Sequence, residues 1–467
     1  MRGMLNRKSA LRASCLLLSV VLVLEGGGVA TAVDDSKCPS VSPLLVGIYR
    51  VDITPPVGDV HYRGTSTAVA DPLWAKVLYL SQGDVQAALV FCDVISVRYD
   101  LAQSIRRQAA EATGIPAEHI AVAATHTHTG RFASEGPDQT LATIAAAVET
   151  ARQRARPMAL LDGTAQQHGL AFNRRFLMKD GTVRFNPGFQ NPEIVKTVGP
   201  IDPEVGIVLL RDPESEEPLA SLTSFALHLD TVANTQYSAD YPYFIEQTLR
   251  EELGEPFESL FGLGPCGNVN HFDVSGPPPT PGHEGITRHI GVTLGRTILE
   301  ALPDLKPARP SLAVLQTVVD APLQTYTDAE LAWAESYQQT RQPLVQERVF
   351  LQQRRARKIL SLAEMRARWG ETYPLEVQVF RLSDQAAVVT LPGEIFVELG
   401  LAIKAQSPFR TTLIVELAND APAYIPNREA FPQGDYEVIN SRVAAGSGEM
   451  LVDAAVQMLN ELASQDD

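Results

Sequence analysis

Cysteine is scarce in this chain. Only Cys15, Cys38, Cys92 and Cys266 occur among 467 residues. They are scattered and form no C-x-x-C pair, which excludes a disulfide framework and a cysteine-built metal site and leaves room for one bridge. Cys266 lies in a glycine-rich loop and reads as either a buried structural cysteine or a free thiol. Positive charge is also in deficit, with 39 Lys and Arg against 55 Asp and Glu and a net charge of −16. That balance argues against nucleic acid or an anionic membrane as the main partner. Beyond the N-terminus no apolar run is long enough to span a bilayer. Internal repeats, low-complexity tracts and clear linkers are lacking too, so one large domain is expected.

What is present begins at the N-terminus. Arg2, Arg7, Lys8 and Arg12 form a basic region, "CLLLSVVLVL" an apolar one and "ATA" (30–32) a small-residue cleavage site. The pattern is that of a secretory signal peptide over 1–32, cut after Ala32, which implies a secreted or periplasmic protein with no integral span after its removal. A polar leader, 33–43, follows.

From residue 44 on, strand and helix signals alternate. "LLVGIYRVDITPPVG" alternates like a strand, and 75–97 reads as a hairpin turning at Gly83-Asp84. A helix over 99–114 closes on a glycine. "IAVAAT" is then an apolar strand and 141–155 a helix. A second strand pair is expected over 204–230, helices over 243–254 and 285–302, and strands over 259–274, 311–324 and 375–394. A helix, the strand "TTLIVELAND" and a last helix near 446–464 complete the chain. The fold class expected is α/β, with mixed β-sheets flanked by helices. Residues 327–372 stand apart, rich in Glu, Gln, Arg, Lys and Leu. They read as an inserted helical hairpin turning near Gln342-Pro343, with the run "RRARK" (354–358) as a solvated face.

The chemistry-bearing residues stand where strands end. "AVAATHTHTG" carries His126 and His128 one residue apart. Alternation along an extended strand would put both on one face, where two imidazoles reach one metal or one binds it while the other meets substrate. Hydrogen-bonded structure is the other reading of such a pair. His228 follows an apolar strand in "SFALHLD", and Glu394 follows another in "LPGE". Each also has a structural reading, His228 as a core histidine and Glu394 as a carboxylate at a helix start. Asp240 reads as a helix N-cap. Asp93 could bind substrate or brace a histidine.

Taken in order, several stretches resemble the neutral (non-lysosomal) ceramidases. "RVDITPPVG", "THTHTG", "SFALH", "LPGE" and "AYIPNREAFPQGDYE" match that family's segments, and Tyr424 and Tyr436 keep the spacing of its two tyrosines. The resemblance covers roughly 44–465. It implies the catalytic domain, over 44–467, without the family's C-terminal immunoglobulin-like domain. It further implies zinc held by His126, His228, Glu394 and Tyr424. His128 and Tyr436 would contact the reacting amide and stabilise charge on its oxygen. Arg174 would be the site arginine, with Arg175 as its rival. The activity implied is cleavage of a small-molecule or lipid N-acyl bond, ceramide among them, by a zinc-activated water. One loop departs from the family: Gly-Asp-x-Ser-Pro-Asn becomes "GNVNHF", placing Asn268 at the acidic and Asn270 at the serine position. Asparagine is no acyl-transfer nucleophile, which excludes a covalent serine route. Asn270 could still orient substrate through its amide. The departure also opens a different reading, a family member that binds a ligand or partner without catalysis.

Overall fold

The computed structural model describes residues 42–130, 138–278, 283–339 and 347–465. The signal sequence, Cys15, Cys38 and the Gln342-Pro343 turn lie outside them. Residues 42 onward form one compact unit. The mixed α/β class expected from the alternating signals is what the chain adopts. Among the described residues no helix is long and apolar enough to cross a membrane.

Three sheets dominate, and each is built by the same order of elements. The first follows the chain through Leu45–Asp52, Trp74–Gln82 and Val85–Cys92, all antiparallel. The helix Tyr99–Thr113 then crosses over to Ile120–Ala124, which pairs parallel to Val85–Cys92. The second runs through Ala159–Gln166, Glu204–Arg211 and Pro218–Phe225, then crosses by Tyr241–Leu253 to the parallel strand Glu258–Leu263. The third runs through Pro310–Pro322, Thr372–Ser383 and Ala386–Thr390, then by Val397–Gln406 to the parallel Thr411–Val415. Each unit ends in one more helix: Asp138–Gln153, His283–Ala301 and Ser447–Ser464. The sequence shows no internal repeat, yet the order of elements repeats three times. A crossover of this kind is what a parallel pair requires, because a hairpin can join only antiparallel strands.

Inner faces of the three sheets share one core. Leu78, Leu89, Leu222, Leu260, Val388 and Leu413 are all fully buried there. Outer faces pack on the helices, as with Val77 and Val90 in one cluster and Val377 and Val389 in another. Strands buried on both faces read as continuous apolar runs, the reason "IAVAA" and "AAVVT" lack alternation. The sheets approach closely at Gly262, where an added Cβ would lie 2.6 Å from Val415 and 3.2 Å from Phe91.

Longer connections branch off between the first two strands of each unit. In the third unit this is the expected hairpin, helices Asp328–Gln339 and Glu347–Trp369, joined through buried Ala334, Ala356 and Ile359. In the second it is a small antiparallel sheet of Arg175–Met178, Val183–Phe185 and Ile194–Thr197, which the polar sequence there did not announce.

Candidate metal centre

The loops that leave the parallel pairs at their carboxyl ends meet at one place, the usual address for a site in sheets of this kind. His126 and His128 follow Ile120–Ala124, His228 follows Pro218–Phe225, and Glu394 follows Ala386–Thr390. The strand before the first two histidines is shorter than expected. It stops at Ala124, and His126 has φ of 70°, a left-handed conformation rare for a residue with a side chain. Strand alternation therefore does not bring the pair together. A bent loop does, held by His126 N–H to Val94 O at 3.0 Å and His128 N–H to Leu229 O at 3.0 Å. Beneath it Asp93 accepts from Trp74 N–H and from Thr125 Oγ1, bracing the residue before His126 rather than the imidazole itself. Burial pushes the Asp93 carboxyl up to about 6.

The three imidazoles point Nε2 at a common centre. His126 and His228 are 3.1 Å apart there, His128 and His228 3.2 Å, and His128 and His126 3.4 Å. His126 Nδ1 lies 2.6 Å from Ile95 O and must donate to it, which in the neutral tautomer leaves the lone pair on Nε2. Burial, and next the neighbouring His126, pushes His128 down to about 3 and His228 well below the usual histidine range. Both are neutral at neutral pH. Glu394 Oε2 lies 3.6 Å from His126 Nε2 and is buried with no hydrogen-bond partner. Lone pairs and an orphaned carboxylate oxygen facing one another are costly unless a cation lies among them. Tetrahedral zinc with nitrogen ligands sets those nitrogens about 3.3–3.4 Å apart, matching the histidine triangle. The residues present fit a metal.

Glu394 is placed by backbone. Residues 394–395 pair parallel with 424–425, which sets Glu394 beside Tyr424. Gly393 has φ of 79°, and a Cβ there would lie 2.6 Å from Ala423 O. Gly267 is equally confined, 2.7 Å from Glu394 O by the same measure, so the "GPCGN" loop lies directly on the Glu394 strand. The Tyr424 phenol faces the Glu394 carboxylate, and burial with that charge pushes it well above its ordinary range. Tyr436 starts the short helix Tyr436–Asn440, its ring 5.5 Å from that of Tyr424. Burial, and then Glu394, pushes its phenol up to about 12.

The two arginines differ in their surroundings. Arg174 lies 5.5 Å from the Tyr424 ring and 5.9 Å from the Tyr436 ring, whereas Arg175 lies over Phe396 and donates to Gln433 and Gly434. Buried Glu437 pairs with both, at 2.9 Å and 2.7 Å.

No family model and no curated protein matches the sequence. Among solved structures, the neutral ceramidase from Pseudomonas aeruginosa superposes with a TM-score of 0.69 at 18% identity, over 91% of this chain and 75% of that one. A ceramidase complexed with C2 superposes with a TM-score of 0.68 at 18% identity, over 91% and 76%. The chain has the neutral ceramidase fold. It is the fold that the motif resemblance implied.

Within that ceramidase fold the departing loop is built differently from what its motif alone would suggest. Asn268 is a brace: its Oδ1 accepts from Val397 N–H and its Nδ2 donates to Glu398, fixing the start of Val397–Gln406. Asn270 donates through Nδ2 to Asn186 at 2.9 Å and leaves a buried Oδ1 unpartnered. His271 pairs with Asp230 at 3.0 Å. Burial alone would raise the Asp230 carboxyl, but His271 holds it well below the usual range. Asp240 caps Tyr241–Leu253, as expected. Cys92 and Cys266 are both buried and free. Cys266 contacts the site: its Sγ lies 3.8 Å from His228 Nδ1 and donates to Glu416 at 3.1 Å. Asp230, Glu416 and Glu437 went unnoticed in the sequence. Only Asp230 carried a signal, the H-x-D spacing after His228.

Proposed function

We propose that this protein is an exported zinc-dependent hydrolase that cleaves the amide bond of an N-acyl compound. The observation that carries the reading is the convergence of the Nε2 atoms of His126, His128 and His228 on one point, with the orphaned Oε2 of Glu394 3.6 Å from His126 Nε2. His126, His228 and Glu394 would hold the metal, with Tyr424 set against Glu394 as the fourth group. Bound there, zinc would supply Lewis acidity, lowering the pKa of a water toward neutrality and polarising a carbonyl.

The remaining groups have work of their own. His128, on the more open side of the triangle and ring-to-ring with Tyr62 at 4.9 Å, faces the substrate. Tyr436 is kept protonated by its surroundings, so its hydroxyl can donate to a carbonyl oxygen as negative charge grows there. Arg174 holds the two tyrosine rings in place, and Glu437 holds Arg174. Asn270 offers an amide where the family has a serine, so no covalent acyl step is available. Its free Oδ1 can accept a hydrogen bond from a substrate N–H or O–H.

A second reading, a binding protein without turnover, is favoured by Asn270 alone. Metal analysis combined with hydrolysis assays on N-acyl compounds, from ceramide to short N-acyl amines, separates the two. The hydrolase reading expects stoichiometric zinc and product release that a chelator abolishes. Protein purified without zinc, or zinc-loaded protein inert on the whole series, would overturn it. Export is checked by N-terminal sequencing of the secreted chain, expected to start at Val33.

A further inference from the structure

The run "RRARK" is only half a solvated face. On the helix Glu347–Trp369, Arg355 and Arg357 are exposed, and Arg355 pairs with Glu330 at 2.6 Å. Arg354 and Lys358, one turn apart on the other side, are partly buried. Phe350 on this helix stacks on Tyr436 with centroids 5.6 Å apart and planes at 15°. The Arg354 guanidinium lies 4.9 Å from the Phe350 ring, and its Nε is buried without a partner. Arg442 approaches from the end of the Tyr436–Asn440 helix and donates to Asn440 O. Lys358 donates to Gln324 Oε1 at 2.6 Å, a neutral acceptor. Among the described residues no carboxylate comes within ion-pair distance of Arg354, Lys358 or Arg442.

Three cations thus lie close together without an ion-pair partner, Lys358 and Arg442 being joined through Gln324, and Glu394 and Glu330 act on Arg442 and Lys358 only from a longer distance. Burial, and next Arg354, pushes the Arg442 guanidinium down to about 10, while burial and then Arg442 and Arg355 push Lys358 down to about 8. The carboxylates nearby are already committed. Glu437 serves Arg174 and Arg175, and Glu394 serves the metal centre. Partly buried like charges repel and lose hydration, so the arrangement is destabilising until an anion arrives. Guanidinium groups suit planar or tetrahedral oxyanions, which they bind through paired N–H donors.

We propose that Arg354 and Arg442 form a docking site for an anionic oxygen group, a carboxylate, phosphate or sulfate, carried by the ligand of this site. The inference rests on reading the site as an acyl-substrate pocket, and it narrows the substrate class to acidic N-acyl compounds such as acylated amino acids. The same chemistry could belong to the carboxylate product, so the test carries an arm for each source.

Zinc-loaded protein is titrated calorimetrically with dodecanoyl-glycine, with its neutral analogue dodecanoyl-glycinamide and with dodecanoate, while released glycine is assayed separately. The acid is expected to bind about tenfold or more tightly than the amide, the cost of one lost charged hydrogen-bonded contact. That preference should vanish in R354Q/R442Q and persist in R354K. Dodecanoate binding as tightly as dodecanoyl-glycine would assign the site to the product, and weaker dodecanoate binding to the uncleaved ligand. Equal binding of acid and amide, a preference that survives in R354Q/R442Q, or no binding by any of the three would overturn the proposal. R354Q/R442Q should melt no lower than the parent, since it relieves repulsion, and this separates a lost site from a lost fold. A charge preference without glycine release would leave the docking site standing and sink the hydrolase reading. Glycine release without a preference would do the reverse.

Discussion

Two buried polar clusters lie near each other on this fold, and they differ in whether their hydrogen bonds are complete. Around Asp71 and Asp240 every carboxylate oxygen is served. Asp240 accepts from Thr231 N–H and Oγ1, Val232 N–H and Tyr241 N–H, and Asp71 accepts from Ser238 Oγ and Ala239 N–H. The cluster around His126, His128, His228 and Glu394 is buried in large part, with His128 and Glu394 partly exposed, and it is incomplete. Its imidazole nitrogens face one another, and Glu394 Oε2 has no partner. Burial of polar groups occurs in both, so burial alone identifies neither. Saturation marks the first as architecture, and the missing partner marks the second as a place prepared for a ligand.

The contrast breaks most directly at the metal. His126→Ala with Glu394→Ala should abolish zinc binding, read by plasma emission, and lower hydrolysis by more than about a thousandfold. Full zinc occupancy in that variant would make the second cluster structural after all. His128→Ala and Tyr436→Phe sharpen the division of roles within it. Each should keep the metal and lose about 10²–10³ in kcat, the usual loss for one donor to a developing oxyanion. Loss of zinc from His128→Ala would instead make the three histidines the ligand set, which their near-equal spacing also permits.

Local features of both the fold and the site were legible. Strands, crossover helices and caps announce themselves over a few residues, as with the glycine closing Tyr99–Thr113 and Asp240 ahead of Tyr241. His126, His228 and Glu394 were visible as polar residues just past apolar strands. What could not be read was relational. The threefold recurrence is one of topology, carried by hydrophobic patterns that many sequences satisfy, so it leaves no repeated residues to find. The approach of His128 to His126 depends on a positive φ, which histidine does not advertise. Which of the two arginines lies beside Tyr424 and Tyr436, about 250 residues further along the chain, is likewise set only by the fold. The inward half of "RRARK" is fixed by Tyr436 and Phe350, which only the folded chain brings together.

On the saturated side, Asp240→Ala should act on stability alone. It strips acceptors from buried Thr231, Val232 and Tyr241 and removes a helix cap, at about 3 kcal/mol in chemical denaturation. Zinc content in the fraction that remains folded should not change. A fall in zinc affinity without a fall in stability would mean that the two clusters are coupled and the contrast between them is false.

The smallest expected effect tests the border between the clusters' two kinds of order. For His228 to offer Nε2 as a bare lone pair, its proton must sit on Nδ1, and the acceptor there is the Cys266 sulfur at 3.8 Å. That is a weak anchor, itself tied to Glu416, whose other oxygen accepts from Ile395 N–H at 2.6 Å. The chain from His228 through Cys266 to Glu416 thus ends on the strand that carries Glu394. Cys266→Ala should remove the anchor and weaken zinc binding by about tenfold, the low end for losing a partner behind a metal-bound histidine. Cobalt-substituted protein should show it as altered visible bands, because the imidazole is freer to tilt. Cys266→Ser keeps an acceptor at the same place and should restore most of the affinity. Unchanged affinity in Cys266→Ala would show that packing alone orients His228, and the ordered region would then stop at the imidazole instead of reaching Glu416.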